Sequence, residues 1–215
     1  MKIYISASNQ FDNLYNDGKH TEGEVCHLIG QRLKEYLEKY HDVKLGGLHD
    51  TMAKKVQESN AFGSDYHICI HTNAGGGKGT EVFCWPTNLS DKYVNAVYNN
   101  VSRLTPTPDR GIKSNTTFYE IKNTTTAKCI YIEVEFHDSF GSWIFENVER
   151  IAYEIAKAFL NNEQQFIELH ETYGTIDEGK IYKVQCGAFT KKENAEKFRD
   201  DLKLKYGIDC FIVKG

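Results

Sequence analysis

Short apolar runs alternate with amphipathic segments along residues 1–160, and this alternation predicts an α/β domain. Apolar runs typical of buried strands occupy residues 2–6, 66–71, 79–85 and 129–136, with a weaker strand and loop at 41–48. Apolar residues recur at helical spacing in residues 22–40, 52–59, 92–104 and 143–160. Because strands that alternate with helices usually pair in parallel, we expect a mostly parallel, twisted sheet flanked by helices.

Local signals mark where two of these helices begin and end. Thr21 directly precedes the first helix. Glu24 lies three residues after Thr21, which is the pattern of a capping box. The helix at 92–104 is followed by Pro106 and Pro108. Proline lacks a backbone N–H and disfavours a helical predecessor, so this helix is expected to stop there.

The pattern weakens after the last of these helices and then restarts, which predicts three regions. We expect one domain over residues 1–162, a polar linker over 163–179 and a small unit over 180–215. The small unit has the pattern of a βαβ element, with strands at 181–186 and 210–213 around a helix at 190–205. It is shorter than the roughly 40 residues below which a unit usually needs a staple or a partner.

Composition narrows the classes of partner and compartment. The chain carries 26 Lys and Arg against 30 Asp and Glu, a net charge of −4 without a basic block, which argues against nucleic acid and anionic membranes. No run reaches the ~18–20 apolar residues of a membrane span. Six cysteines without a C-x-x-C pair, several inside apolar runs, favour reduced thiols. The N-terminal residues read as a strand instead of a signal peptide, so we expect synthesis in the cytoplasm.

Two polar residues fall inside predicted buried strands, where a polar group needs a partner or a function. His71 ends the strand at 66–71, at the edge of open α/β sheets where ligands bind. It is either a hydrogen-bonded structural histidine or a metal ligand or base. Glu133 interrupts the run at 129–136, and burial would raise its pKa toward that of a general base. Glu135 shares its face, but Glu133 lies deeper in the run; the alternative is an edge strand with solvated carboxylates.

Other residues carry weaker signals. Glu22 begins a helix, where a carboxylate is favoured by the helix dipole whether or not it has a further role. The glycine-rich segment at 75–80 lacks the spacing of a phosphate loop and precedes a strand instead of a helix, which excludes nucleotide binding by that motif.

Together these segments resemble the zinc-dependent N-acetylmuramoyl-L-alanine amidases of the amidase-3 type, a family of bacterial autolysins and phage endolysins. The match covers residues 1 to about 160. It rests on Thr21-Glu22 at the start of the first helix, on the segments Ile-His-Thr-Asn-Ala at 70–74 and Asp-Arg-Gly-Ile-Lys at 109–113, and on Ile-Glu-Val-Glu-Phe at 132–136. The order and separation of the histidine and glutamate segments make this a specific resemblance.

The resemblance implies a zinc site and a hydrolytic mechanism. Glu22 and His71 would bind zinc, and Glu133 would act as general base toward water activated at the metal. Asn73, Glu81 and Arg110 would position the substrate. The family usually has a histidine ligand after its first strand, whereas this chain reads Ser-Ala-Ser-Asn-Gln at 6–10. We expect Gln10 as the third residue at the metal, with His20 or Asn9 as alternatives.

The segment from 182 to 212 resembles a SPOR repeat, a peptidoglycan-binding module, but contains one βαβ half where such a domain usually has two. Two chains are therefore expected to pair through these halves into a homodimer. The resulting expectation is a peptidoglycan hydrolase that cleaves the amide between N-acetylmuramic acid and L-alanine. It would reach the cell wall after release by phage lysis or autolysis. The alternatives are an inactive wall-binding module and a zinc carboxypeptidase.

Overall fold

A computed structural model describes residues 1–160, 165 and 191–206, with side chains described up to residue 199. The chain divides into two compact units, Met1–Thr175 and Ile176–Gly215. Among the described residues, no helix has the length and apolar character to cross a membrane.

The first unit is built on one six-stranded sheet. Its strands are β1 (Lys2–Ala7), β2 (Asp42–Leu45), β3 (Tyr66–Asn73), β4 (Glu81–Cys84), β5 (Gly111–Ser114) and β6 (Lys128–Phe136). Their order is β2-β1-β3-β6-β4-β5. The first four of that order are parallel, whereas β4 runs antiparallel to β6 and parallel to β5. The prediction of a mostly parallel α/β sheet is confirmed.

Helices cover both faces of this sheet. They are α1 (Glu22–Leu37), α2 (Met52–Phe62), α3 (Lys92–Leu104), α4 (Tyr119–Asn123), α5 (His137–Glu146) and α6 (Val148–Lys157). Alternation along β3 and β6 sends isoleucines at 68, 70, 130 and 132 into the main core with α1, α3 and α6. Cys69 and Cys129 point to the opposite face, where Ile121 of α4 joins them in a smaller cluster.

The boundary signals predicted for α1 and α3 are present. Thr21 accepts a hydrogen bond from the Glu24 backbone N–H, and the Glu24 carboxylate accepts one from the Thr21 backbone N–H. Helix α3 ends at Leu104, immediately before the proline segment. These caps fix the start of α1, and therefore the position of its first residue, Glu22.

The structure corrects one predicted element and adds two. The helix predicted at 143–160 is two helices, α5 and α6, which meet at Asn147 with φ −111° and ψ 16°. Strand β5 and the short helix α4 were not predicted. Each is only four or five residues long, too short for periodicity to detect.

In the second unit the described element is a helix, α7 (Lys192–Tyr206), which confirms the helix predicted at 190–205. The strands predicted at 181–186 and 210–213 lie outside the described residues. The predicted linker and the pairing of two chains fall there as well, and stay predictions. Four of the six cysteines are described, and all four are buried free thiols, as expected.

Candidate active site

Glu22 and His71 meet at the carboxyl end of the sheet. Glu22 is the first residue of α1, and His71 is near the end of β3; both are almost fully buried. The Nδ1 atom of His71 lies 3.0 Å from Oε1 of Glu22. Two ligands of one tetrahedral zinc ion lie about 3.4 Å apart, given bonds of about 2.0–2.2 Å. The pair predicted to bind zinc is thus brought together at a separation that suits that ion.

Glu22 and His71 each shift the pKa of the other. Burial by itself would raise the pKa of Glu22, but the hydrogen bond and charge of His71 outweigh burial and lower it. Burial by itself would lower the pKa of His71, but Glu120 and Glu22 outweigh it and raise that pKa to about 9. The site therefore concentrates negative charge around one imidazole, a field that also favours a cation.

Gln10 is the third predicted residue at this point, and its amide faces the pair. Its Nε2 atom lies 3.2 Å from Oε1 of Glu22 and 3.5 Å from Nδ1 of His71. The Asn13 amide donates one hydrogen bond to the Gln10 amide oxygen, at 2.9 Å, and one to Oε2 of Glu22, at 2.8 Å. Only the oxygen of an amide binds a metal ion, so a ligand role requires the Gln10 amide to rotate and give up Asn13.

The alternatives to Gln10 lie elsewhere. His20 places Nδ1 2.5 Å from Asp17 Oδ2 and stacks on Phe145 with ring centroids 3.7 Å apart. Asn9 donates to the backbone oxygen of Asp50 at 3.3 Å. Neither side chain forms a hydrogen bond or ion pair with Glu22 or His71 among the described residues, so of the three candidates the structure brings Gln10 to the pair.

Glu133 and Glu135, two residues apart on β6, have different surroundings. Glu135 is fully buried and accepts hydrogen bonds from the backbone N–H groups of Gly79 and Phe136 and from the Thr107 hydroxyl. Glu133 pairs in register with His71, and its buried Oε2 atom has no hydrogen-bond partner among the described residues.

Because of this difference, Glu133 can transfer protons, whereas Glu135 has a structural role. Burial, aided by the charge of Glu22 and Glu81 and opposed by that of His71, raises the pKa of Glu133 to about 7. A carboxyl group with a free oxygen and a pKa near neutrality can accept and return a proton. Glu135 has both oxygens committed to hydrogen bonds from Gly79, Phe136 and Thr107, which makes it structural.

A cavity of about 480 Å³ opens beside Glu133. Its lining includes Asn73, Glu81 and Arg110, the three residues predicted to position a substrate. Asn73 donates to Oε1 of Glu81 at 2.6 Å, and Arg110 Nε lies 3.1 Å from Oε2 of Glu81. The Lys113 ammonium also pairs with Oε2 of Glu81. One buried carboxylate thus holds an amide and a guanidinium that line the cavity, and it also pairs with the Lys113 ammonium.

The glycine-rich turn between β3 and β4 forms one wall of this cavity. Gly75 and Gly76 adopt positive φ values of 109° and 72°. Their backbone N–H groups donate to Oδ2 of Asp138 at 2.8 and 2.6 Å. The turn therefore binds a side chain of its own chain at the start of α5.

Two residues that the sequence analysis did not single out also reach the Glu22–His71 pair. Oε2 of Glu120 lies 3.6 Å from Nε2 of His71, on the side of the ring opposite Glu22. Nδ1 of His137 lies 3.8 Å from Oε2 of Glu22 and 3.0 Å from the Thr72 hydroxyl. Glu120 lies within α4, a helix too short to predict, so no local pattern placed it here.

The chain matches two known family models. The family model described as N-acetylmuramoyl-L-alanine amidase matches residues 10–161, and the model described as SPOR domain matches residues 149–214. The first match spans every residue of the site described above.

Two curated relatives have similar sequences. The sporulation-specific N-acetylmuramoyl-L-alanine amidase of Bacillus subtilis (strain 168) is 25% identical over 161 residues, which are 74% of this chain and 60% of the relative. N-acetylmuramoyl-L-alanine amidase CwlM of Bacillus licheniformis is 25% identical over 167 residues, 76% of this chain and 62% of the relative. The chain thus matches about three fifths of the length of these relatives.

Solved structures share the fold. The catalytic domain of CwlV, an amidase from Bacillus (Paenibacillus) polymyxa, superposes with a TM-score of 0.66 at 19% identity, covering 78% of this chain and 98% of that one. The catalytic domain of the CD27L endolysin targeting Clostridia Difficile superposes with a TM-score of 0.59 at 21% identity. This match covers 75% of this chain and 98% of that one. At these identities the likeness establishes the fold.

Proposed function

The chain belongs to the N-acetylmuramoyl-L-alanine amidase family, whose model matches residues 10–161, and on that premise we propose that it is a peptidoglycan hydrolase. The bond it would cleave is the amide between N-acetylmuramic acid and the L-alanine of the stem peptide. The observation that carries this proposal concerns Glu133, the register neighbour of His71 on the adjacent strand. Its carboxyl group has one oxygen without a hydrogen-bond partner among the described residues and a pKa of about 7.

Glu22 and His71 would hold a zinc ion, with Gln10 as the third protein residue beside it. A bound zinc ion would supply Lewis acidity to water and to the scissile carbonyl. Oε1 of Glu22 and Nδ1 of His71, the two atoms that face each other, would be its ligand atoms. Glu120, opposite Nε2 of His71, favours the tautomer that keeps the proton on Nε2 and leaves the Nδ1 lone pair free for the metal.

Glu133 would take a proton from the attacking water and return it to the leaving amine. A pKa near 7 suits both steps, because the group is a sufficient base and its conjugate a sufficient acid at neutral pH. Arg110 and Asn73, both held by Glu81, would bind polar groups of the glycan or the stem peptide.

Digestion of purified cell walls tests this assignment. The wild-type chain is expected to lower wall turbidity and to free L-alanine amino groups, and a chelator is expected to stop both until zinc is added back. Glu133→Gln should reduce the rate by about 10²–10⁴-fold, the usual worth of a general base. Glu38→Gln, which alters an exposed ion pair with Lys34, is the matched control and should retain full activity. An active Glu133→Gln variant would refute the proposed base.

The third metal residue needs its own comparison. If Gln10 is a ligand, Gln10→Ala should raise the zinc concentration needed for half-maximal hydrolysis, whereas His20→Ala should leave it unchanged. The opposite result would favour His20. Equal zinc requirements in all three proteins would mean that Glu22 and His71 suffice.

One observation favours a second function, an inactive wall-binding module. The amide of Gln10 directs its NH₂ group at Glu22 and His71, and Asn13 stabilises that orientation. A chain of this kind would bind walls through its SPOR-matching segment without releasing amino groups. Digestion that frees whole amino acids without freeing lactyl groups would instead indicate a carboxypeptidase.

Synthesis in the cytoplasm, release to the wall and pairing of two chains are part of the proposal of a peptidoglycan hydrolase.

A further inference from the structure

A second cluster of metal-ligating side chains lies within the sheet, beneath the candidate active site. His67 and Cys69 are on β3, and Cys129, the register partner of His67, is on β6. One ligand atom from each lies within 4.8 Å of the others, and the two sulfurs are 3.5 Å apart. All three residues are at most 2% exposed. We refer to them as the thiol–imidazole cluster.

Glu120 adds a carboxylate to this cluster. Its Oε1 atom lies 3.2 Å from Nε2 of His67 and accepts a hydrogen bond from the Ser6 hydroxyl, and the carboxylate also interacts with the Cys69 thiol. Glu120 itself is 1% exposed. Two thiols, an imidazole and a carboxylate therefore converge in one buried place.

We propose that the thiol–imidazole cluster, with Glu120 beside His67, is a structural binding site for a divalent cation of the zinc class. Zinc takes four ligands from cysteine, histidine and carboxylate side chains, and its structural sites are closed to solvent. In a tetrahedral site with Zn–S bonds of about 2.3 Å, two sulfurs lie about 3.8 Å apart. The observed 3.5 Å between Cys69 and Cys129 requires little movement.

An unpaired polar atom separates this cluster from an ordinary pair of core thiols. Nδ1 of His67 is buried without a hydrogen-bond partner among the described residues. Burying such an atom without a partner has a free-energy cost. Ile121, Phe83 and Phe118 enclose the sulfurs with apolar surface. A cation bound to the histidine would offset the cost of burying it.

Binding balances in charge and protons. Each thiol gives up its proton to solvent as its sulfur binds, so the two positive charges of the cation meet two thiolates. None of Gln10, Glu22 or Glu133 takes part. The two sites therefore use different ligands, although Glu120 lies beside both His67 and His71.

Cobalt substitution tests the proposal with a readout other than activity. The full chain would be produced in minimal medium containing Co²⁺ as the added metal, and its cobalt content and absorption spectrum measured. The wild type should show the near-ultraviolet thiolate-to-cobalt charge-transfer band, which a site of glutamate, glutamine and histidine cannot give. Cys69→Ser/Cys129→Ser should lose that band and one cobalt equivalent per chain. Cys84→Ser, at another buried free thiol, should keep both.

The outcomes separate this site from the active site. Glu22→Gln should lose cobalt without losing the band, and a wild-type chain that shows the band but holds no second cobalt would support this site while counting against a metal at Glu22. A wild type without the band overturns the proposal, and so does a band that persists in the double variant. If the double variant fails to fold by circular dichroism, the wild-type spectrum and the single Cys129→Ser variant, expected to weaken the band, decide the matter.

Discussion

Replacing Glu133 by glutamine is expected to make the metal-free chain more stable at pH 8 while it removes the proposed base. Folding raises the pKa of this carboxyl from an ordinary 4.5 to about 7, mainly by burial. That rise corresponds to about 3 kcal/mol of folding free energy lost when the group ionises, since each pKa unit is worth about 1.4 kcal/mol. Glutamine has nearly the same shape and carries no charge, so it avoids this loss.

The direction of the pH dependence follows from the sign of the shift. A carboxyl whose pKa is raised on folding does not destabilise the fold below pH about 4.5, where it is protonated in both states. Its cost grows as the pH rises toward about 7 and is constant above that value. The advantage of Glu133→Gln should therefore be near zero at pH 4.5 and greatest at pH 8.

The assay is thermal or urea unfolding of chelator-treated protein at several pH values. At pH 8 a gain of about 3 kcal/mol should raise the midpoint by roughly 6–12 °C for a domain of this size. Glu135→Gln is the matched control on the same strand. Because Glu135 accepts bonds from Gly79, Phe136 and Thr107, an NH₂ group there faces donors and should destabilise the fold by about 1–3 kcal/mol at every pH.

Two results would refute this reasoning. A Glu133→Gln variant no more stable than the wild type at pH 8 would mean that burial does not penalise the charge. A gain that is the same at pH 5 and pH 8 would mean that the stabilisation comes from packing instead of ionisation. Added zinc should narrow the difference, because a cation beside Glu133 favours its charged form.

Three further predictions concern other residues of the first unit. Glu120→Gln should raise the zinc concentration for half-maximal hydrolysis about 10–100-fold, the usual effect of losing a carboxylate behind a metal-binding histidine; an unchanged requirement would contradict that role. Gly79→Ala should lower the unfolding midpoint by more than the few degrees that correspond to about 1 kcal/mol, because φ is +104° and a Cβ atom would lie 2.1 Å from the Pro108 oxygen. Asp91→Ala should cost about 1–2 kcal/mol in urea unfolding through loss of the α3 N-cap, and a neutral effect would argue against the cap.

Much of the fold follows from local pattern. The four long helical and strand signals in residues 1–136 correspond to α1, α3, β3 and β6, because amphipathic spacing and runs of isoleucine, valine and cysteine need no distant information. The capping box at Thr21 is likewise a relation between residues three apart. The break at Asn147 escaped prediction because neither proline nor glycine marks it.

Pattern also pointed to two site residues. His71 and Glu133 stand out in the sequence because each is a polar group inside an apolar strand, where burial has a cost. Glu22 has no such signal, since a carboxylate in the first turn of a helix is ordinary. Its selection depended on the family resemblance, and its contact with His71 depended on the start of α1 lying beside the end of β3.

The sequence by itself therefore determined the longer elements before residue 137, the polar residues that need an explanation and the family. Only the tertiary structure decided which of those residues meet. Pairing β3 with β6 sets His71 opposite Glu133, and it also stacks His67, Cys69 and Cys129 on one face. The position of α4 brings Glu120 to both histidines, 53 residues along the chain from His67. Such contacts arise from strand register and from the crossovers between strands, and local spacing carries no information about either.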